Sequence, residues 1–261
     1  MAFTTLALTG IALAATLGQA VANLPANAKF DYQIGDPYTP APDVRVVTRD
    51  RTASPVPGLF NICYINAFQT QDTEKTFWND PSRVDLILLK KNGKQFEDPD
   101  WEGEFFLDTS TDAKRQRIAT ILNGWIDGCA SKGFQGIEPD NLDTYTRSNG
   151  LLTKADNLAL AQLFVSHAHS LGLAVAQKNT AELGTEGRDT AGFDFAVAEE
   201  CQQFDECDEY TEAYGAEMLE IEYKQAQFNA ACTARGGSIS VIFRDVDVVA
   251  QGDKGYKYSE C

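Results

Sequence analysis

Glu138, Asp140, Asn141 and Asp143 fall within six residues, at the end of the segment GFQGIEPDNLD that spans positions 133–143. The segment starts as a short apolar strand and ends in carboxylates. In barrels of alternating strands and helices, acid catalysts sit at such C-terminal strand ends. The plain alternative is an acidic surface loop. A site is favoured because the pattern recurs at other predicted strand ends. Asp31 and Gln33 lie on the first, and Tyr64 and Asn66 end the third. Gln177, Lys178 and Asn179 end the fifth, and Glu199 and Glu200 the sixth. Glu220 and Glu222 precede Tyr223 on the seventh, and Arg244 and Asp245 end the eighth. A ring of carboxylates and amides suits a sugar, whose hydroxyls need both acceptors and donors. Glycosidic cleavage needs two carboxyl groups, one to protonate the leaving oxygen and one to attack or to activate water. Asp140 and Glu199 make the best pair, each at a strand end.

Other chemistries find less support. The two histidines, His167 and His169, stand two residues apart within a predicted helix, so they face different sides and cannot share a metal. His167 is expected on the core face. No Gly-x-Ser-x-Gly elbow and no Cys/His metal spacing occurs. A magnesium or calcium site built from Asp140 and Asp143 stays open, although the spacing is not that of a helix–loop–helix calcium loop. No cofactor and no metal is expected.

Eight short apolar segments can position such a site: 30–34, 44–48, 60–66, 134–138, 173–177, 193–199, 218–222 and 239–243. Helical stretches separate most of them. Ile118, Ile121, Leu122, Trp125, Ile126 and Cys129 repeat at helical spacing, and Gly133 follows as a stop. Thr153 and Asp156 fit a capping box ahead of the next helix, whose stripe runs through Leu160, Leu163, Phe164, His167 and Leu171. Strand and helix alternating at this cadence imply parallel strands with crossover helices. The expected fold is α/β, a single-domain (β/α)8 TIM barrel. A longer insertion between the third and fourth strands carries a further strand candidate at 104–108. A doubly wound open sheet is the alternative, but no Gly-rich phosphate loop follows the first strand.

The 261 residues suffice for one large domain. Residues 1–22 carry no charged side chain and end in a small-x-small site, the form of a secretory signal peptide. The mature barrel is then expected over 23–261, secreted to the extracellular space. Six cysteines in a secreted chain predict three disulfides. Cys201 and Cys207 could staple one loop; Cys63–Cys129 and Cys232–Cys261 are the other expected pairs. The net charge of −16 disfavours nucleic acid and anionic membranes and favours a cationic partner. A monomer is expected.

At these residues the chain resembles fungal members of glycoside hydrolase family 114, the endo-α-1,4-polygalactosaminidases. The resemblance covers nearly all of the expected mature chain. It rests on FDYQIG at 30–35, CYIN at 63–66, FLD at 106–108, GFQGIEPDNLD at 133–143, Lys178-Asn179, and FAVAEEC at 195–201 with Glu206-Cys207. It implies a (β/α)8 barrel that hydrolyses galactosamine polymers internally, with Asp140 and Glu199 as catalytic carboxyls. It places Asp31, Asp108, Glu138, Lys178 and Asn179 around the sugar. Gln33, Tyr64, Asn66, Asn141 and Glu222 complete the expected binding set. The second strand, VRVVTRD at 44–50, is more basic than the family's acidic pattern. The placement is also similar to that of retaining α-galactosidases, with a nucleophile ending strand four and an acid/base ending strand six. The competing readings are a carbohydrate-binding barrel without activity and a metal-dependent hydrolase.

Overall fold

Eight parallel strands follow one another in space in the order of the chain. They are β1 (Phe30–Gln33), β2 (Val46–Asp50), β3 (Phe60–Asn66), β4 (Gly136–Asp140), β5 (Ala174–Lys178), β6 (Phe195–Glu199), β7 (Met218–Glu222) and β8 (Ser240–Arg244). This computed structural model describes residues 20–261. Consecutive order with parallel pairing rules out the doubly wound sheet, whose strand order reverses at a switch point. The signal peptide expected at 1–22 lies mostly outside the described residues. No helix among the described residues is long and apolar enough to cross a membrane.

Alternation sets the layers. One parity on the strands forms the barrel interior: Phe30, Val46, Ile62, Ala174, Phe195, Leu219 and Ile242 fill its lower part. The same parity turns polar higher up, reaching Tyr64 and Asn66 on β3, Glu138 and Asp140 on β4, Lys178 on β5, Glu199 on β6 and Arg244 on β8. The other parity packs on the helices α1 (Lys75–Trp78), α2 (Asp112–Lys132), α3 (Thr144–Arg147), α4 (Lys154–Ser170), α5 (Cys201–Phe204), α6 (Cys207–Tyr214) and α7 (Gln225–Arg235). Cys63, Ile137, Val175, Ala196 and Val241 belong to that layer. Five strands begin one or two residues later than the apolar runs suggest. Phe134, Leu173, Phe193 and Ile239 precede their strands and are buried in the helix–sheet layer.

Local signals close the helices as expected. The Thr111 side chain accepts from the Lys114 N–H at the start of α2, and Gly133 ends it at φ 94°. Thr153 and Asp156 form a complete capping box at α4. His167 departs from the expectation of a core-facing residue. It is half-buried and pairs with Asp127 of α2 at 2.8 Å, because its position lies at the edge of the apolar stripe.

The barrel seam between β8 and β1 is built differently from the other joins. A ninth strand that sequence periodicity misses, β9 (Tyr258–Glu260), pairs antiparallel with β8. Side chains then bridge to the first strand's segment. Ser240 Oγ donates to Ala28 O at 2.6 Å, Tyr258 OH donates to Phe30 O at 2.7 Å, and Arg244 donates to Tyr32 O.

Three disulfides match the expected pairs, and no cysteine is free. Cys63–Cys129 pins β3 to α2 across 66 residues, a loop closure worth roughly 4 kcal/mol on the chain-entropy model. Cys201–Cys207 closes the loop after β6, and Cys232–Cys261 ties β9's end to α7.

Candidate active site

The polar ends of β3 to β7 open into a cleft of about 720 Å³. Its floor is Lys178, whose side chain is 1% exposed. The ammonium lies 2.9 Å from Glu138 Oε1, 3.3 Å from Glu199 Oε2 and 3.7 Å from Asp140 Oδ1. It also donates to Tyr32 OH at 2.9 Å. Burial works against its charge, but Asp140, Glu138 and Glu199 together hold its pKa well above the ordinary lysine value. One fixed cation therefore serves three carboxylates on neighbouring strands.

Each candidate catalytic carboxylate has its own donors. Asp140 accepts from Tyr64 OH at 2.8 Å and from the Asn141 N–H at 2.8 Å. Glu199 accepts from Asn179 Nδ2 at 2.9 Å and from Tyr223 OH. Asn179 Oδ1 in turn accepts the Glu199 N–H at 2.8 Å, which locks the pair. Burial first, then the adjacent carboxylates, raise the pKa of Tyr64 and Tyr223 well above the ordinary value, so both stay neutral donors. Glu138 is fully buried beneath the pair and accepts from Tyr32 OH at 2.7 Å.

The residues that follow β4, β5 and β6 share one backbone feature. Asn141 at φ 66°, Asn179 at φ 50° and Glu200 at φ 56° are left-handed, although none is glycine. Thr180, at φ 68°, adds a second after β5. Left-handed geometry costs such residues about 1–2 kcal/mol each. It ends each strand abruptly and turns the next side chain to the cleft wall, where all four sit. Simple alternation would point Glu200 away from Glu199; the left-handed turn instead makes it a lining residue.

Asn66 is buried beside the site, accepting from Asn141 Nδ2 at 2.9 Å. Four expected binding residues stand elsewhere. Asp31 and Gln33 alternate with Phe30 and Tyr32, which take the interior, so they point to a sealed cluster. Gln33 Nε2 and Tyr38 OH both donate to Asp31, and Arg49 Nε donates to Gln33. This arrangement also accounts for the basic second strand, since Arg49 is spent inside that cluster. Asp108 opens the approach to α2, accepting the Ser110 N–H at 3.0 Å and pairing with Lys114. Glu222 shares the outer parity of β7 with Met218 and accepts the Gln202 N–H at 2.9 Å; burial pushes its pKa up to about 7.

The open magnesium or calcium reading at Asp140 and Asp143 loses its second ligand. Arg147 takes both oxygens of Asp143, at 2.8 and 2.9 Å, and Lys178 already serves Asp140. Further cleft residues are not in the expected binding set. Tyr223 could have been found there, since it continues the inner parity of Leu219 and Ile221. Trp101 and Glu104 come from a loop, Glu182 from a single 3-10 turn at 181–183 and Glu206 from the N-cap of α6, where no periodicity indicates direction.

A sequence model described as glycoside-hydrolase family GH114 matches residues 11–261. Among solved structures, the chain is similar to Ega3 of Aspergillus fumigatus in complex with galactosamine. The identity is 22% and the TM-score 0.73, with 95% of this chain and 100% of the other covered. It is also similar to the glycoside hydrolase domain of PelA from Pseudomonas aeruginosa, at 12% identity and TM-score 0.56. Here 87% of this chain and 97% of the other are covered. Both share the barrel fold. No curated protein matches significantly.

Proposed function

The chain belongs to glycoside-hydrolase family GH114 and is a glycosidase, and on that premise we propose that it cleaves internal α-1,4-galactosaminidic bonds in cationic, galactosamine-containing polysaccharide. The observation that carries the reaction is Lys178 standing within 3.7 Å of Asp140 and 3.3 Å of Glu199. Asp140 Oδ1 and Glu199 Oε2 can be no farther apart than those distances combined, a bound that takes in the close spacing of a retaining pair and only the lower edge of the inverting range. The retaining reading is the one we propose.

In this reading Asp140 attacks the anomeric carbon while Glu199 protonates the departing oxygen. The C–O bond to the leaving sugar breaks as the Asp140 ester forms. Glu199, now ionised, takes a proton from water, which displaces Asp140 and restores both groups. Asp140 loses its negative charge as Glu199 gains one. Lys178 thus faces the same total charge before and after the first step, and its field needs no rearrangement at the transition state. Tyr64 and Asn141 orient Asp140, and Asn179 and Tyr223 orient Glu199. Glu138 fixes Lys178 from below.

The cleft wall supports a cationic substrate. Eight carboxylates line it against two cations, and both cations are already paired. With the net charge of −16, this draws in a protonated amino-sugar polymer. Every group of the proposed site comes from one chain, which is compatible with the expected monomer. The signal peptide expected at residues 1–22 and the three disulfides support a secreted protein.

The test is incubation with α-1,4-galactosamine polymer, following mean chain length and the anomer of the first product by NMR. An early fall in length with an α-anomeric product is expected. Cleavage of neutral glycans alone would overturn the substrate, and a β-anomer would overturn the two-step assignment.

A further inference from the structure

The insertion between β3 and α2 supplies one tight turn to the cleft. The Glu104 N–H donates to Trp101 O at 3.1 Å, closing a four-residue turn with Gly103 in its third position at φ 86°. Glycine is favoured there by conformation, since the turn needs a positive φ at that position; an added Cβ would meet only the free end of the Lys75 side chain, which can swing away. The Gly103 N–H is held by Glu97 at 2.8 Å. The turn presents Trp101, 56% exposed, beside the carboxylate of Glu104, and both line the cleft.

Glu104 is fixed on one side only. Its Oε2 accepts from Gln69 Nε2 at 2.8 Å and from Asn66 Nδ2 at 3.3 Å, and both amides are buried. Asn66 also binds Asn141, whose N–H binds Asp140. A chain of amides therefore sets Glu104 relative to Asp140. No lysine or arginine lies within ion-pairing distance of Glu104 among the described residues. The charged groups that act on it are Asp140 of β4, Asp72 ahead of α1, and Asp98 of the insertion, all carboxylates. Lys75 stands against Gly103 without pairing with Glu104. Asp143, by contrast, has Arg147.

We infer that Glu104 reads the sugar amine in the subsite beside Asp140, and so selects free galactosamine over its N-acetylated form. The assignment rests on the galactosamine reading above. A partly desolvated carboxylate with no cation of its own gains both charge neutralisation and a hydrogen bond from an ammonium. A neutral acetamide supplies no charge. Burial, only partly offset by the Gln69 hydrogen bond, pushes its pKa up to about 7. A bound ammonium favours the ionised form and pulls that value down. The Trp101 ring offers a flat face to the pyranose, which is indifferent to the nitrogen substituent.

The test compares wild type, Glu104→Gln and Trp101→Ala on length-matched galactosamine and N-acetylgalactosamine oligomers, with thermal melts to verify folding. For Glu104→Gln, kcat/KM on the free amine should fall about ten- to a hundredfold, the loss of one charged hydrogen bond. On the acetylated oligomer it should change by less than about threefold, well inside that loss. Trp101→Ala should weaken both substrates together. In wild type the preference for the free amine, read as the ratio of kcat/KM on the two oligomers so that the Glu199 limb common to both cancels, should climb with pH as Glu104 ionises below the range where the sugar amine loses its proton, and the climb should vanish in Glu104→Gln. Unchanged selectivity in Glu104→Gln, or an equal loss on both oligomers, overturns the assignment. If wild type cleaves neither oligomer, the galactosamine reading itself fails and takes this one with it.

Discussion

Two clusters of buried charge cap the barrel, one at β4 to β6 and one at β1, β2 and β8. In the first, Glu138, Asp140 and Glu199 crowd a single ammonium, and the upper two carboxylates face the cleft. In the second, Arg49 and Arg244 stand with Asp31 and Asp245, and each spare donor or acceptor finds a partner. Arg49 reaches Gln33, Ser54 O and Tyr38 O, and Asp245 accepts from the Val249 and Lys257 N–H groups. Both clusters come from polar residues at strand ends. They differ in balance. A matched, fully bonded set seals the barrel, whereas a set with surplus negative charge and an open face is prepared for something that arrives later.

The sharpest way to break this contrast is to neutralise one carboxylate in each cluster. Asp140→Asn and Glu199→Gln should each cut kcat at least 10²–10⁴-fold with little change in Tm, and the double variant should lose scarcely more. Asp31→Asn should do the reverse, lowering Tm and sparing kcat. Steady-state kinetics beside thermal melts reads both. An Asp31→Asn enzyme that folds normally but is dead would erase the distinction.

Removing the cations comes next. Arg244→Met strands buried carboxylates and seam carbonyls, and should lower Tm by roughly 5–15 °C through a loss of about 3–5 kcal/mol. Lys178→Met should lower both stability and kcat, because the carboxylates it separates then repel each other. Their shared ionisation should shift the acid limb of the pH–rate profile upward. A Lys178→Met enzyme with the wild-type profile would refute its role as common counter-charge.

Glu222 sharpens the comparison on the stability side. Its folded pKa of about 7 exceeds the ordinary glutamate value of 4.5. The folded state therefore holds a proton that the unfolded chain has released, and stability falls as pH rises across that window. Denaturant melts between pH 4.5 and 7 should show the decline, and Glu222→Gln should flatten part of it. The smallest effect belongs to the surface. Raising salt from low to physiological strength should increase KM on the cationic polymer a few-fold, since screening acts over about 8–10 Å. Glu200→Gln should add a similar change, now that Glu200 lines the cleft.

The barrel was legible because alternation within each strand and helical spacing between strands leave a periodic trace. The carboxylate cluster after β4 and the Lys178-Asn179 pair were legible for the same reason. Gln33 and Glu222 are expected at the sugar as polar strand ends and Asp31 through the family resemblance as well, yet parity on β1 and β7 gives the interior to Tyr32 and Ile221. Glu200 stood among the polar strand ends, but alternation alone turns it away from Glu199; the left-handed turn that brings it to the cleft leaves no periodic trace. Trp101 and Glu104 sit on an insertion whose Gly103 betrays a turn but not its direction. The ninth strand, three residues long and half polar, carried no pattern at all.

The seam has a consequence for how this barrel can change over generations. A ladder of peptide groups is the same for every residue but proline, so most joins in the barrel are insensitive to most point mutations. Between β8 and β1 the join is written in Ser240, Arg244 and Tyr258, each specified by its own codon. Closure strength there can drift or be selected one residue at a time. A library confined to those three positions would explore barrel rigidity while leaving every catalytic side chain untouched.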